Sequence, residues 1–163
     1  MARYEEADEN LTEVFLDVLE KKFPQYQHLK FKLIYDLKKR VSRGKLTLAN
    51  IEMANPKIKF FSRDKIATDG YDFIIIVDKK AWELSPEMVK PRIIRHEMRH
   101  VFLGEDGTAK LVEHEIEDFF AEIELNKDDP EWARKLVMLV ADVYEQEKLM
   151  LKEGKKKKEK TDE

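Results

Sequence analysis

Cysteine is absent from the chain, and that one absence removes disulfides, thiol nucleophiles and cysteine-ligated zinc sites together. Any metal the protein holds must be bound by His, Asp or Glu. Long apolar runs are missing as well. Runs such as Phe73-Ile74-Ile75-Ile76-Val77 fall far short of the roughly 18 residues that cross a bilayer, so no membrane partner is expected. The opening Met1-Ala2-Arg3-Tyr4-Glu5-Glu6 is acidic and lacks the apolar region of a secretory signal, which predicts a cytoplasmic protein. Asn and Gln are scarce beside Lys and Glu, a composition that leans towards thermophiles. A large charge of one sign is lacking too. The net charge is −3, and the Lys-rich end from 152 to 163 carries six lysines against four acids, or +2. That is too little for a strong phosphate-binding arm, so nucleic acid is only weakly supported as a partner.

What remains is a chain of 163 residues, 42% hydrophobic and 40% charged, long enough for one domain with its own core. We expect that domain over 1–151. Residues 152–163 contain no apolar side chain and are expected to be disordered.

Histidine is also sparse, with four in the chain, yet three of them fall between 96 and 114. Two belong to His96-Glu97-Met98-Arg99-His100, an H-E-x-x-H motif. On a helix, residues i and i+4 project from one face a turn apart, so His96 and His100 can offer imidazole nitrogens to one ion. Glu97 lies about 100° round from His96, near enough to act on a water at the metal without being a ligand. Ser85-Pro86-Glu87 is a helix-start signal, although Pro91 moves the continuous helix nearer Lys90. Ile94, Met98, Val101 and Phe102 then form a stripe opposite the two histidines, and Gly104 is the expected C-cap.

Elsewhere the periodicity predicts a small sheet flanked by helices. Residues 1–9 are polar and expected to be loose. Asn10 and Glu13 suit a capping box for a helix carrying Leu11, Val14, Phe15, Val18 and Leu19, which Pro24 stops. Phe31, Leu33 and Tyr35 alternate as in a half-buried strand. Arg43-Gly44 supplies a turn, Leu46 to Met53 a returning strand, and Lys57 to Phe61 a short further candidate. Phe73 to Val77 has the apolar density of a strand buried on both faces, and it leads through Trp82, expected in the core, towards the metal helix. Short turns favour a twisted, mostly antiparallel sheet of about four strands. After a charged turn at 104–110, Ile116, Phe119, Phe120 and Ile123 predict a second helix. Asp129-Pro130-Glu131 opens a third, with Trp132, Leu136, Leu139, Val140 and Val143 on one side.

A catalytic zinc keeps three protein ligands and one open position. The candidates for the third are His114, Glu115, Glu117 and Asp118. His114 is favoured because imidazole suits zinc and the 104–110 turn could fold the chain back; the acids are equally well read as capping charge at a helix start.

Three runs, Trp82-Glu83-Leu84-Ser85-Pro86, His96-Glu97-Met98-Arg99-His100 and His114-Glu115-Ile116-Glu117-Asp118-Phe119, resemble the phage metallopeptidase family. Lys38 to Lys45, Ala54-Asn55-Pro56-Lys57 and Tyr71-Asp72-Phe73-Ile74 are similar to the same family's sheet region, so the likeness runs from about residue 29 to about 125. It implies an α+β, zincin-like zinc peptidase acting on a peptide or protein substrate, with His96, His100 and His114 as ligands and Glu97 as the base. The chain departs from the pattern at Arg95, where an acid is expected, and at Glu115, where Asp is expected. The layout resembles SprT-like DNA-repair metalloproteases more loosely, which leaves a non-catalytic or nucleic-acid-associated module as the alternative. A peptide is expected to lie along an exposed strand beside the metal helix. Tyr144 and Arg99 are the residues to consider for stabilising the oxyanion.

Overall fold

The computed structural model describes residues 2–114 and 120–159. In chain order the elements are β1 (Tyr4–Glu6), α1 (Glu9–Lys22), a 3₁₀ turn (Pro24–Tyr26), β2 (Phe31–Asp36), β3 (Val41–Ser42), β4 (Lys45–Leu46), β5 (Ala49–Met53), α2 (Pro56–Phe61), β6 (Phe73–Asp78), α3 (Lys79–Leu84), α4 (Lys90–Met98), β7 (Val101–Leu103), β8 (Ala109–Leu111), α5 (Phe120–Leu125) and α6 (Trp132–Glu159). The α+β expectation holds. The central sheet has four strands in the order β1-β2-β6-β5, and it is mixed, mostly antiparallel as expected, with one parallel pairing at its centre. β2 and β6 run parallel, while β1 and β5 pair antiparallel at the two edges.

β6 lies inside the sheet and is buried on both faces, which is why its sequence is an unbroken apolar run. Leu33, Tyr35, Ile51, Phe73, Ile75 and Val77 form one sheet face. They share a single core with Leu11, Phe15 and Val18 of α1, Ile93, Ile94 and Met98 of α4, Trp82, and Trp132, Leu136 and Val140 of α6. Each large side chain fully withdrawn from water contributes roughly 1.5–3 kcal/mol before entropy is charged against it. This core anchors α4, and with it the histidine motif.

Several expectations need correction. Residues 4–6 form an edge strand, held by pairing to 34–36 and by Arg3 on Asp36, although all three residues are exposed and show no alternation. Asp8, not Asn10, caps α1, accepting from the Leu11 amide at 2.9 Å; Asn10 takes the Trp82 indole N–H and the Lys90 ammonium instead. Residues 57–61 are helical because Asn55 caps the segment and Pro56 occupies its first turn. The returning strand is broken in two: β3 and β4 form a tight hairpin across Arg43 and Gly44, both at positive φ, and β5 follows after Leu46. Ser85 closes α3, its hydroxyl donating to the Ala81 carbonyl at 2.6 Å, and α4 starts at Lys90.

The largest difference follows the motif. α4 ends at Met98, and Val101–Leu103 is a strand paired with Ala109–Leu111. Val101 is buried whereas Phe102 is 46% exposed, a period of two that a helical wheel disguised as a stripe. On α6 the buried positions are Trp132, Leu136 and Val140 at intervals of four, with Leu139 exposed. α6 also continues to Glu159, into the stretch expected to be disordered, of which residues 160–163 lie outside the described residues; Lys and Glu are good helix formers and need no core to extend an existing helix. Among the described residues, no helix is long and apolar enough to cross a membrane.

Candidate metal centre

His96 and Glu97 occupy the last turn of α4, whose buried side, Ile93, Ile94 and Met98, fixes the roll of the helix. His100 lies two residues beyond the assigned end. The turn is tightened there: the Arg99 amide still donates to the Arg95 carbonyl at 3.0 Å, and the His100 amide to Glu97 at 3.1 Å. The i, i+4 relation therefore survives, with the rings of His96 and His100 5.6 Å apart.

The β7–β8 hairpin then returns the chain. Its register pairs Val101 with Leu111, and one step further the Val112 amide donates to the His100 carbonyl at 2.7 Å. Gly107, at φ 81°, makes the turn. His114 follows two residues after Val112, so an ordered hairpin, rather than a loose turn, delivers it to the other histidines. Its ring lies 4.8 Å from that of His96 and 4.6 Å from that of His100.

One ligand atom from each of His96, His100 and His114 lies within 4.8 Å of the others, and the Nε2 atoms of His96 and His114 are 2.9 Å apart. Two imidazole nitrogens on one tetrahedral zinc, each about 2.05 Å from it, would be about 3.3 Å apart. The cluster is already at that scale. His100 Nδ1 contacts the Val112 carbonyl at 2.7 Å. A carbonyl only accepts, so Nδ1 carries a proton, and in the neutral ring the lone pair is then on Nε2, the tautomer a metal requires. Three neutral nitrogen donors with no thiolate suit a divalent transition metal with a coordination position to spare. The alternative ligands Glu115, Glu117 and Asp118 lie outside the described residues.

Glu97 is buried, 6% exposed, against the edge strand β5. Burial pushes its carboxyl up to about 8, while the Arg40 guanidinium and the Ile51 backbone amide act in the opposite direction. The Ile51 amide is available for a reason of register. Hydrogen bonds from Asp78 to Leu48 and from Ala54 to Asp72 set which residues of β5 face β6, and leave Ala49, Ile51 and Met53 directed to the open edge. Arg40 is tied to Asp36 at 2.7 Å and to Asn50, and its Nε is buried without a partner among the described residues.

A second group of residues braces the motif from behind. Glu122 of α5, 1% exposed, accepts from Arg95 Nε at 3.0 Å and Arg99 Nε at 3.2 Å, and Arg95 also reaches Asn126 at 2.7 Å. Arg95, the departure noted from the family pattern, thus has an acid partner across the helix pair. The Arg99 guanidinium also lies over the Phe23 ring at 4.8 Å, while the Tyr144 hydroxyl donates to Asp78 at 2.6 Å. Both oxyanion candidates are engaged in these structural contacts.

Arg40, Ile51, Val112 and Glu122 were not singled out from sequence. Arg40 had a signal, since it falls inside the family-like run 38–45. A backbone amide and a backbone carbonyl have none.

A family model described as "Putative phage metallopeptidase" matches residues 2–144, well beyond the 29–125 whose motifs carry the likeness. It takes in α1 and the first half of α6. No curated protein and no solved structure matches the chain.

Proposed function

The chain belongs to the phage metallopeptidase family, and from that premise we propose that it is a zinc-dependent, zincin-like peptidase in which His96, His100 and His114 hold the metal and Glu97 is the general base. The observation that carries this reading is the convergence of three imidazoles within 4.8 Å on the helix that also bears a buried glutamate.

When bound, zinc supplies a Lewis acid that polarises a carbonyl and lowers the pKa of a water to about 7. The protein's own residues do the rest. Val112 orients the His100 ring through Nδ1. Glu97, shielded from bulk solvent, takes a proton from the attacking water at its carboxylate and returns it to the leaving amine. A nearby dication favours the ionised carboxylate and offsets the burial that raises it. The open edge of β5, with outward backbone groups at Ala49 and Met53, offers a substrate main chain the hydrogen bonds of an added strand. A purely structural site would have no use for a carboxylate buried beside His96.

The test is cleavage of a peptide pool by zinc-reconstituted protein with and without a chelator, run beside Glu97→Gln. We expect chelator-sensitive hydrolysis in the wild type, and in the variant full zinc content with at least a 100-fold loss of rate, since Gln cannot accept a proton. Loss of zinc from Glu97→Gln would make Glu97 a ligand and overturn the assignment. Equal rates would remove it from the chemistry.

A further inference from the structure

A cavity of about 480 Å³ opens beside the motif, and His96 and Glu97 form part of its wall. Its volume lies in the range of about 300–1,000 Å³ typical of ligand sites. The apolar part of the wall is Leu46 and Leu48 from the β4–β5 segment, Ile93 from α4, and Trp132 and Val137 from α6, and Glu131 and Arg134 line the cavity as well. Ile93 and Trp132 are themselves buried, at 2% and 7% exposure, so they are fixed walls rather than mobile flaps. Arg134 donates to Glu131 at 3.1 Å, and the two side chains are 74% and 59% exposed, so this pair keeps its charges in water. The β4–β5 segment, α4 and α6 thus converge on a recess whose apolar wall adjoins the motif residues His96 and Glu97 and the Glu131–Arg134 pair.

We propose that this recess is a specificity pocket that takes the bulky apolar side chain, of the Leu, Met or Phe class, of the substrate residue next to the cleaved bond. The inference rests on the peptidase reading and adds the substrate class. A carboxylate or ammonium pressed against Leu46, Leu48, Ile93 and Trp132 would lose its hydration to groups that cannot pair with it, whereas an apolar side chain gains from leaving water. A glycine at that position would leave the recess unfilled.

The test uses zinc-loaded full-length protein titrated with three dipeptide hydroxamates that differ only in one side chain: Leu, Gly or Glu. We expect the Leu compound to bind roughly 10–100-fold tighter than either of the others. Val137→Trp, which fills the recess from a half-buried helix position, should abolish that preference. Leu48→Gln should reduce the preference without filling the space, and thermal unfolding of both variants checks that they fold. Equal binding of all three compounds, a preference for Glu, or binding by none of them would overturn the pocket. Sequencing of products from the peptide pool separates the two levels. Cleavage with no enrichment of apolar residues beside the cut keeps the peptidase and overturns the pocket. Discrimination among the hydroxamates with no cleavage of any peptide supports the pocket and contradicts the peptidase.

Discussion

Asp36 is fully buried at the C-terminal end of β2, where it meets the Arg3 guanidinium at 3.0 Å, the Arg40 guanidinium at 2.7 Å and the Lys38 amide at 2.9 Å. Burial alone would raise its carboxyl, but Arg3, the Lys38 amide and Arg40 together hold it below the usual carboxylate range. The neighbouring Asp78 carboxyl moves the other way, raised chiefly by burial, with the Tyr144 hydroxyl and the Ala81 amide opposing the rise. For Asp36 the sign is fixed by the direction: a folded-state pKa below the unfolded one contributes stability that is present above about pH 4 and lost as the pH falls through the folded value. Asp36→Asn should lower stability near pH 7 by about 1–3 kcal/mol, since two guanidinium groups lose their shared acceptor. It should also flatten the loss of stability between about pH 4 and the acid limit. Urea unfolding of wild type and variant across that range checks both; parallel curves would mean that Asp36 titrates alike in the folded and unfolded chains. Because Arg40 also acts electrostatically on Glu97, this carboxylate is part of the support behind the candidate base.

The α4–α5 pair depends on Glu122, a buried acid held between Arg95, Arg99 and the Asn126 side chain. Removing one member of such a cluster leaves the others desolvated and unpaired, which costs about 3–5 kcal/mol. Glu122→Ala should therefore lower the unfolding free energy by several kcal/mol, measured by denaturant titration, with Glu122→Gln losing less. A change under about 1 kcal/mol, the range of an exposed ion pair, would show that the clamp does not hold α5 on α4. Elements were legible in the sequence where local pattern and tertiary burial agreed. The apolar run of β6 and the stripe Leu11, Phe15, Val18 and Leu19 of α1 are of this kind. They were illegible where long-range pairing decided. Tyr4–Glu6 becomes a strand through its partner β2, and Val101–Leu103 leaves the helix because Ala109–Leu111 can pair with it. Asn55-Pro56 was a readable helix start, outweighed in the sequence by the apolar spacing of Ile58 and Phe60. The candidate site divides in the same way. His96, Glu97 and His100 are set by local spacing, whereas His114 needed the hairpin, and the apolar recess needed α6 to close over β4 and β5.

Over the whole molecule, the core runs from α1 through the sheet to α6 without involving any of the three histidines. The fold therefore has its own source of stability, and removal of a metal should leave it intact, unlike a zinc finger whose binding energy is its folding energy. Bound metal then adds stability only by mass action, about 2.7 kcal/mol when free ion is a hundredfold above Kd. The family match and the histidine geometry meet at one claim: a single ion held by His96, His100 and His114. Competition titration of folded, metal-free protein against a calibrated zinc chelator tests it most directly, with the wild type beside His96→Ala, His100→Ala and His114→Ala. We predict one zinc per wild-type chain and, in each variant, affinity weakened by more than the 10–100-fold that loss of an outer-shell partner costs. Stoichiometry near zero in the wild type, or His114→Ala binding zinc as tightly as the wild type, would contradict the account.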